Sequence, residues 1–438
     1  MKKQKTLARY FEFNKFQTSF TTETIAGVTT FLSMAYILFV NPSVLGDAGM
    51  DKNAVFTATA LVSAFGTLIM GLLARYPIGV APGMGINAFF TYSVVIGSGV
   101  PWQTALAAVI LAGILFVLLT LFKIRNVLLN AIPQNLKMAT ASGIGLLITF
   151  IGLKNAGIVV KNEDTFVALG DITAPHTLLA ILGTLITMVL LVRNVRGGIF
   201  IGLAATALIG ILTGLIPTPD HVFSSAPSLA PTFGVGLSHL SDIHSGHLII
   251  VVLTFLIVGF FDTAGTIMAV SHQAGLIQNN QLPRSGRALF ASSSSFIVGG
   301  ILGTSPANAY VESSAGVAAG GRTGFSAVVT AIFFLLATFL SPLLSVVTNE
   351  VTAPALIVVG SLMASAMGSI EWKRSEIAIP AFITIIAMPL TYSITNGIVL
   401  GFITYPILMT VKGRFKELHP MMIILFIIFI FFIPFLSS

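Results

Sequence analysis

Apolar runs of about twenty residues, enough to cross the hydrocarbon core of a bilayer, follow one another along the chain with short polar breaks between them. In the first half they fall near 25–45, 54–75, 80–97, 103–122, 137–153, 176–193 and 198–215. A polar loop with Pro and His, 216–247, carries no Lys or Arg. The second half offers runs near 248–271, 287–303, 310–322, 326–347, 353–368, 376–393 and 394–411. This pattern predicts an all-α polytopic membrane protein of two repeats, 1–215 and 248–438, joined by an extracellular loop. The tenth run is too short to cross as plain helix. A further apolar run, Met421 to Leu436, leaves open whether 420–436 is a full span and on which side the C-terminus lies.

Composition sharpens this reading. Of 438 residues, 55% are hydrophobic and 8% charged, against roughly 25% charged in soluble domains. There is no cysteine, so disulfides and thiolate metal sites are excluded. The formal charge of +7 comes from bases set singly or in small groups at the ends of apolar runs. That distribution suits orientation in a membrane rather than nucleic-acid binding. With the N-terminus inside, Lys123, Arg125, Arg193, Arg196, Arg284, Arg287, Arg322, Lys373, Arg374, Lys412, Arg414 and Lys416 fall on the cytoplasmic side. Lys52, Lys154 and Lys161 fall outside and are outnumbered. The basic N-terminus is followed by no short apolar core with a cleavage site, so Ile25 to Leu45 reads as the first span rather than a signal peptide.

The halves repeat weakly. Thr30-Phe31-Leu32 recurs as Thr254-Phe255-Leu256, Gly71 with Pro77 as Gly300 with Pro306, and Gly197 to Gly202 resembles Asn396 to Gly401. Seven segments per half, an odd number, make the two inverted copies. In both copies the third segment departs from plain helix. Pro77 to Asn87 and Gly303 to Glu312 are rich in Gly, Pro and small polar residues. They are expected to be extended, with helix starting afterwards. Such backbone at membrane depth is tolerated only where protein buries it or a cavity lies beside it.

Two acids lie deep in apolar sequence, Asp262 and Glu312. A charge at such depth costs at least a few kcal/mol and marks a functional site by default. A carboxyl shielded from water favours its neutral form and can exchange a proton. Against this, Asp262 could be a structural acid bonded to a neighbouring helix, and Glu312 an acid at a helix start. Asn87 could cap a half-helix or bond a ligand edge. Phe89, Phe90, Phe260, Phe261 and Tyr310 could stack on a planar ligand, although most of the 34 Phe must face lipid or pack. The His residues lack metal-site spacing. Gly320-Gly-Arg-Thr-Gly324 reads as a tight cytoplasmic turn more readily than as an anion nest, and Ser292 to Ser295 as a close-packing stretch.

These stretches resemble the AzgA-type purine permeases of the nucleobase–cation symporters (the nucleobase/ascorbate transporter superfamily) over nearly the whole chain. The resemblance is densest in Thr22 to Pro42, Ala81 to Tyr92, Phe261 to Thr266, Glu312 to Gly324 and Met388 to Ser393. It implies a fold like that of the UraA-type uracil transporters, an inverted repeat of seven plus seven segments. The core domain would cover about 20–122 and 248–347, and the gate domain about 123–215 and 348–438. By the same resemblance Asp262 and Glu312 are the binding and proton-coupling acids. Asn87, Gly85, Phe261, Tyr310, Val311 and Thr30 are the other substrate contacts. Three places depart from the family pattern: Ser292 in place of Asp, Pro306-Ala-Asn-Ala309 in place of a Thr/Ser-rich run, and Asn396 in place of Asp; Thr266, where uracil relatives carry His, is as in purine relatives.

The expected function is import of guanine, hypoxanthine or adenine by proton symport with alternating access at the plasma membrane, without a cofactor. Sodium is the less favoured coupling ion, and a homodimer is compatible with the sequence. The rivals are a uracil or xanthine permease and an anion transporter on the same fold. A membrane enzyme is disfavoured because no nucleophile–base pair or metal set is seen.

Overall fold

The computed structural model describes residues 2–122, 133–244, 246–277 and 282–432, with the side chains of 2–5, 247, 431 and 432 left aside. Lys123 and Arg125, and residues 433–436 of the terminal apolar run, lie outside the described residues. A helical stretch stands at every expected position. Segment one is Phe20–Met34 and Ile37–Asp47, broken at Ala35 and Tyr36, and segment two is Lys52–Ile69, extended by the π-helical turn Met70–Ala74. Segment three consists of strand β1 (Val80–Pro82), helix Met84–Ala88 and the π-helix Phe89–Gly97. Segments four to seven are Trp102–Leu121, Gln134–Asn155, Pro175–Val192 and Gly198–Leu212. Segments eight and nine are Gly246–Gln273 and Ser285–Leu302. Segment ten is strand β4 (Ala307–Ala309) with helix Ser313–Ala318. Segments eleven to fourteen begin with Gly324–Ala337, Asn349–Ala364, Ser375–Thr391 and Ile394–Val411. Nine described helices are long and apolar enough to cross a membrane by length and composition. A further helix, Pro420–Phe432, packs on segments fourteen and eight.

The packing partners reciprocate between the halves. Segment one packs on eleven as eight does on four, and two packs on eleven as nine does on four. Likewise six packs on seven as thirteen does on fourteen, and six on twelve as thirteen on five. The Gly71/Gly300 correspondence read from sequence has a physical basis here. A Cβ on Gly71 would press on the Gly324 carbonyl of segment eleven, and one on Gly300 would press on Ile110 and Leu106 of segment four. Small residues let these helices meet backbone to backbone, as in helix packing within lipid.

The expected extended stretches are present and pair with each other. β1 and β4 run antiparallel with Val80 opposite Ala309, Ala81 opposite Asn308 and Pro82 opposite Ala307. One feature was not legible. Between segments five and six lies a hairpin, β2 (Val159–Asn162) and β3 (Phe166–Leu169), so the protein is not purely α. Its turn is set by the Asn162 side chain, whose Oδ1 accepts from the N–H groups of Asp164 and Thr165, both at 2.9 Å. The sequence Lys-Asn-Glu-Asp-Thr reads as loop, and only the pairing of its flanks makes it a hairpin.

Charged side chains gather where the alternating register puts them. Glu12 meets Arg75 at 3.3 Å and Arg284 at 3.4 Å, at the end of segment two and the start of segment nine. Glu376 meets Arg374 at 3.1 Å and Arg414 at 3.0 Å, so the start of segment thirteen lies beside the end of fourteen. The Gly320–Gly324 stretch is the expected tight turn. The anion its backbone binds is internal: Glu23, fully buried, accepts from the N–H of Arg322 at 2.9 Å and of Thr323 at 3.3 Å. Gly324→Leu should cost roughly 1–3 kcal/mol through overpacking against Gly71. It should lower the thermal midpoint of the detergent-solubilised protein, read by fluorescence-detected size exclusion. Gly368→Ala, with nothing within 4 Å of the added Cβ, should leave that midpoint unchanged.

Candidate functional site

The site is built around the two short strands. In lipid every backbone polar group needs a partner, and three residues of strand cannot supply all of their own. Neighbouring side chains fill the gaps. Thr67 of segment two donates its hydroxyl to the Val80 carbonyl at 3.0 Å and accepts from the Val80 N–H at 2.8 Å. The Gly79 N–H donates to the Ser313 hydroxyl at 2.9 Å, and the Gly79 carbonyl accepts from the Tyr310 N–H at 2.9 Å. The Gly83 N–H donates to the Pro306 carbonyl at 3.2 Å. The crossing is thereby fixed from both sides.

On this frame Glu312 is half-buried, at the residue before helix Ser313–Ala318. Its carboxyl does not cap that helix. It accepts instead from the hydroxyl of Tyr36 at 2.7 Å, reached from the break in segment one. Asp262 accepts from the side-chain amide of Asn308, on β4. Asn308, which holds Asp262, stands four residues before Glu312 in segment ten, so both carboxyls lie at the same strand crossing. Asp262, Gly265, Met268 and Ala269 form an exposed stripe on segment eight, and it runs on through His272 and Gln273. Lys137 of segment five has its Nζ 4.8 Å from the centroid of the Phe261 ring, next to this stripe. The accessible Asp262, Val311 and Glu312 thus border a crevice beside the strand crossing, while Phe89 packs on Phe255 at 4.8 Å.

The other expected contacts are distributed unequally. Val311 is 55% exposed and lies beside Glu312 in the chain, and Phe261 is half-buried beside Asp262. Gly85 faces Ile144 of segment five. Thr30 is buried against Gly316 of segment ten. Tyr310 is buried, and its hydroxyl donates to the Pro82 carbonyl at 2.5 Å, so it ties the two strands together. Asn87 is fully buried and turned away from the crevice. Its Oδ1 accepts from Ser305, which with Asn41, Thr59 and Thr304 forms an interior polar cluster. Asn87 caps no half-helix, since helix Met84–Ala88 starts after Gly83 and has no side-chain cap.

Asn308 escaped notice in the sequence, where it reads only as a departure from a Thr/Ser-rich run. It is 1% exposed, its Nδ2 holds Asp262, and its Oδ1 has no hydrogen-bond partner. Gly83 makes room for it, since a Cβ there would strike the Asn308 amide. A Gly at the position diagonal to Asn308 across the crossing is the one signal that could have found it.

Two acids, a tyrosine hydroxyl and an amide gathered at a strand crossing inside a bundle of membrane-length helices are the arrangement of a membrane carrier's candidate solute site. Solved structures share the fold: the transmembrane domain of the cyanobacterial bicarbonate transporter BicA (TM-score 0.65, 17% identity, 86% of this chain and 98% of that one) and SLC26A9 (TM-score 0.63, 12% identity, 94% and 69%). These likenesses carry the architecture alone, and they agree with the UraA-like fold implied by the resemblance. The chain belongs to the family described as "Permease family", which matches residues 21–400. It is a multi-pass membrane permease and not an enzyme. It is 56% identical to the guanine/hypoxanthine permease PbuG of Bacillus subtilis over 98% of this chain and 99% of that one. It is 47% identical to the guanine/hypoxanthine permease PbuO of the same organism, over 96% and 98%, and 42% identical to the adenine permease AdeP of Escherichia coli, over 99% and 97%.

Removing the Asn308 donor should uncouple Asp262 from the crossing strands. A hydrogen bond to a charged group is worth about 1.5–3 kcal/mol, so Asn308→Leu should cut transport roughly tenfold or more. Asn308→Ser, which keeps a donor, should retain more. Equal transport by Asn308→Leu and the unaltered chain, at equal membrane abundance, would remove this role.

Proposed function

We propose that the protein imports purine nucleobases (guanine, hypoxanthine or adenine) by proton symport through alternating access. The observation that carries this reading is the pair Asp262 and Glu312, held by Asn308 and Tyr36 around one crevice, in a chain so similar to purine permeases over its whole length. Glu312 accepts the ring N–H groups of the base, and Asp262 takes the proton. Val311 and Phe261 line the base, while Gly85, Thr30, Tyr310 and Asn87 shape the walls from behind. Neutralising the acid and filling the site remove the cost of moving charge through the membrane.

In this mechanism segments one to four and eight to eleven form a core body that moves against a gate body of five to seven and twelve to fourteen. Each half contributes seven crossings, and the N-terminus is cytoplasmic. The crevice then faces the cytoplasm, and the structure stands for the inward-facing state. One proton entering down the membrane potential gains about 2.3 kcal/mol per 100 mV. At roughly 150 mV that is about 3.5 kcal/mol, enough for a several-hundredfold gradient of a neutral base.

An anion carrier on the same fold is the weaker reading. The crevice presents two acids, with Lys137 over the Phe261 ring beside them; an anion there meets like charge.

Uptake of radiolabelled hypoxanthine, guanine and adenine into cells expressing the protein tests the proposal. Glu312→Gln and Asp262→Asn should abolish uptake while the protein stays in the membrane, and a protonophore should collapse accumulation by the unaltered chain. Normal uptake by either variant removes the site assignment. Accumulation that survives the protonophore but needs sodium removes the coupling ion.

A further inference from the structure

The crevice is not the only chamber along segment three. Toward the opposite end a partly enclosed cavity of about 90 Å³ lies between the π-helical part of segment three, the start of segment eight and the turn joining segments thirteen and fourteen. Phe89 and Tyr392 give it aromatic walls, and Ser98, Thr395 and Asn396 give it polar ones. Val251 also lines it, eleven residues before Asp262 on the same helix, about 16 Å away at 1.5 Å per residue. The Phe89–Phe255 contact lies between the two chambers.

Three features set this cavity apart from a packing defect. None of its lining residues is acidic or basic. The Tyr392 hydroxyl is buried with no hydrogen-bond partner, and the half-buried Asn396 leaves its side-chain amide free to face the space. The chamber is also closed by a specific contact. Ser93 donates its hydroxyl to the Tyr392 carbonyl at 3.1 Å and accepts from the Ile394 N–H at 3.2 Å. Buried polar groups without partners call for an occupant. At roughly 10–15 Å³ of such volume per water, the space fits about six or more waters, or one bicyclic ring system with its substituents.

We propose that this chamber is a second binding station, on the outer side of the carboxyl site, for a neutral planar heterocycle carrying ring N–H and carbonyl groups. The proposal rests on the purine reading above. Asn396 supplies a donor and an acceptor to the edge of the ring, and Phe89 and Tyr392 hold its faces. Lacking a carboxyl, this station takes the base without its proton. The base meets Asp262 and Glu312 only after the Ser93 contact and the Phe89–Phe255 pair have parted.

Equilibrium binding of radiolabelled hypoxanthine to the purified full chain in lipid nanodiscs decides it. At saturation the unaltered protein should bind close to two molecules per chain. Glu312→Gln and Asn396→Leu should each bind close to one, and Thr395→Val should weaken the site that survives in Glu312→Gln. Thr395→Val stands in should Asn396→Leu fail to fold. Saturation of the unaltered protein at one per chain, with none bound by Glu312→Gln, overturns the second station and leaves the purine reading intact. No binding of hypoxanthine, guanine or adenine by the unaltered protein overturns both.

Discussion

Everything in this structure depends on how six residues of strand meet their hydrogen-bonding needs inside a membrane. A helix satisfies its own backbone and an isolated strand does not. β1 and β4 solve this by pairing with each other, and the remaining groups are taken by Thr67, Ser313, Tyr310 and the Gly83–Pro306 contact. Those partners come from segments two and ten as well as from the strands themselves. The crossing therefore cannot loosen without exposing backbone polar groups to a solvent that has nothing to offer them. Its rigidity lets Asn308 and Glu312 hold fixed positions beside Asp262 on a separate helix.

Chemistry follows from that fixed point. The acids carry their cost because each has a dedicated donor, Tyr36 for Glu312 and Asn308 for Asp262. The donors belong to segments one and ten, so the binding centre draws on elements from both halves at once. All of these elements belong to the proposed core body, so in the proposed carrier cycle the pair of acids moves as one piece with its donors. The aromatic pair Phe89–Phe255 and the Ser93 contact close one end, and the open stripe on segment eight marks the other.

Much of this was readable in the sequence. The helical positions, the two extended stretches and the pair of acids followed from apolar runs, from Gly and Pro at equivalent places, and from carboxyls where lipid forbids them. What escaped depends on contacts between distant residues. The β2–β3 hairpin needs its two flanks to find each other, and each flank is only four residues long. Asn308 looked like an unremarkable polar residue because its meaning lies in Asp262, 46 positions earlier, and in the missing side chain at Gly83. Asn87 shows the converse. Its place after a Gly-rich break allowed a helix cap or a ligand contact, and in the structure its Oδ1 is taken by Ser305 in a buried cluster with Asn41, a partner no sequence pattern announced.

Glu12 carries a different lesson. It lies ahead of segment one, and its single carboxylate holds Arg75, just past the end of segment two, and Arg284, just before segment nine. Those segments come from different halves of the chain, so one side chain clasps the two halves together on one face. Parting segments two and nine at that face would cost at least one of the two ion pairs, which makes the clasp a brace that keeps the two halves of the crossing moving as one body.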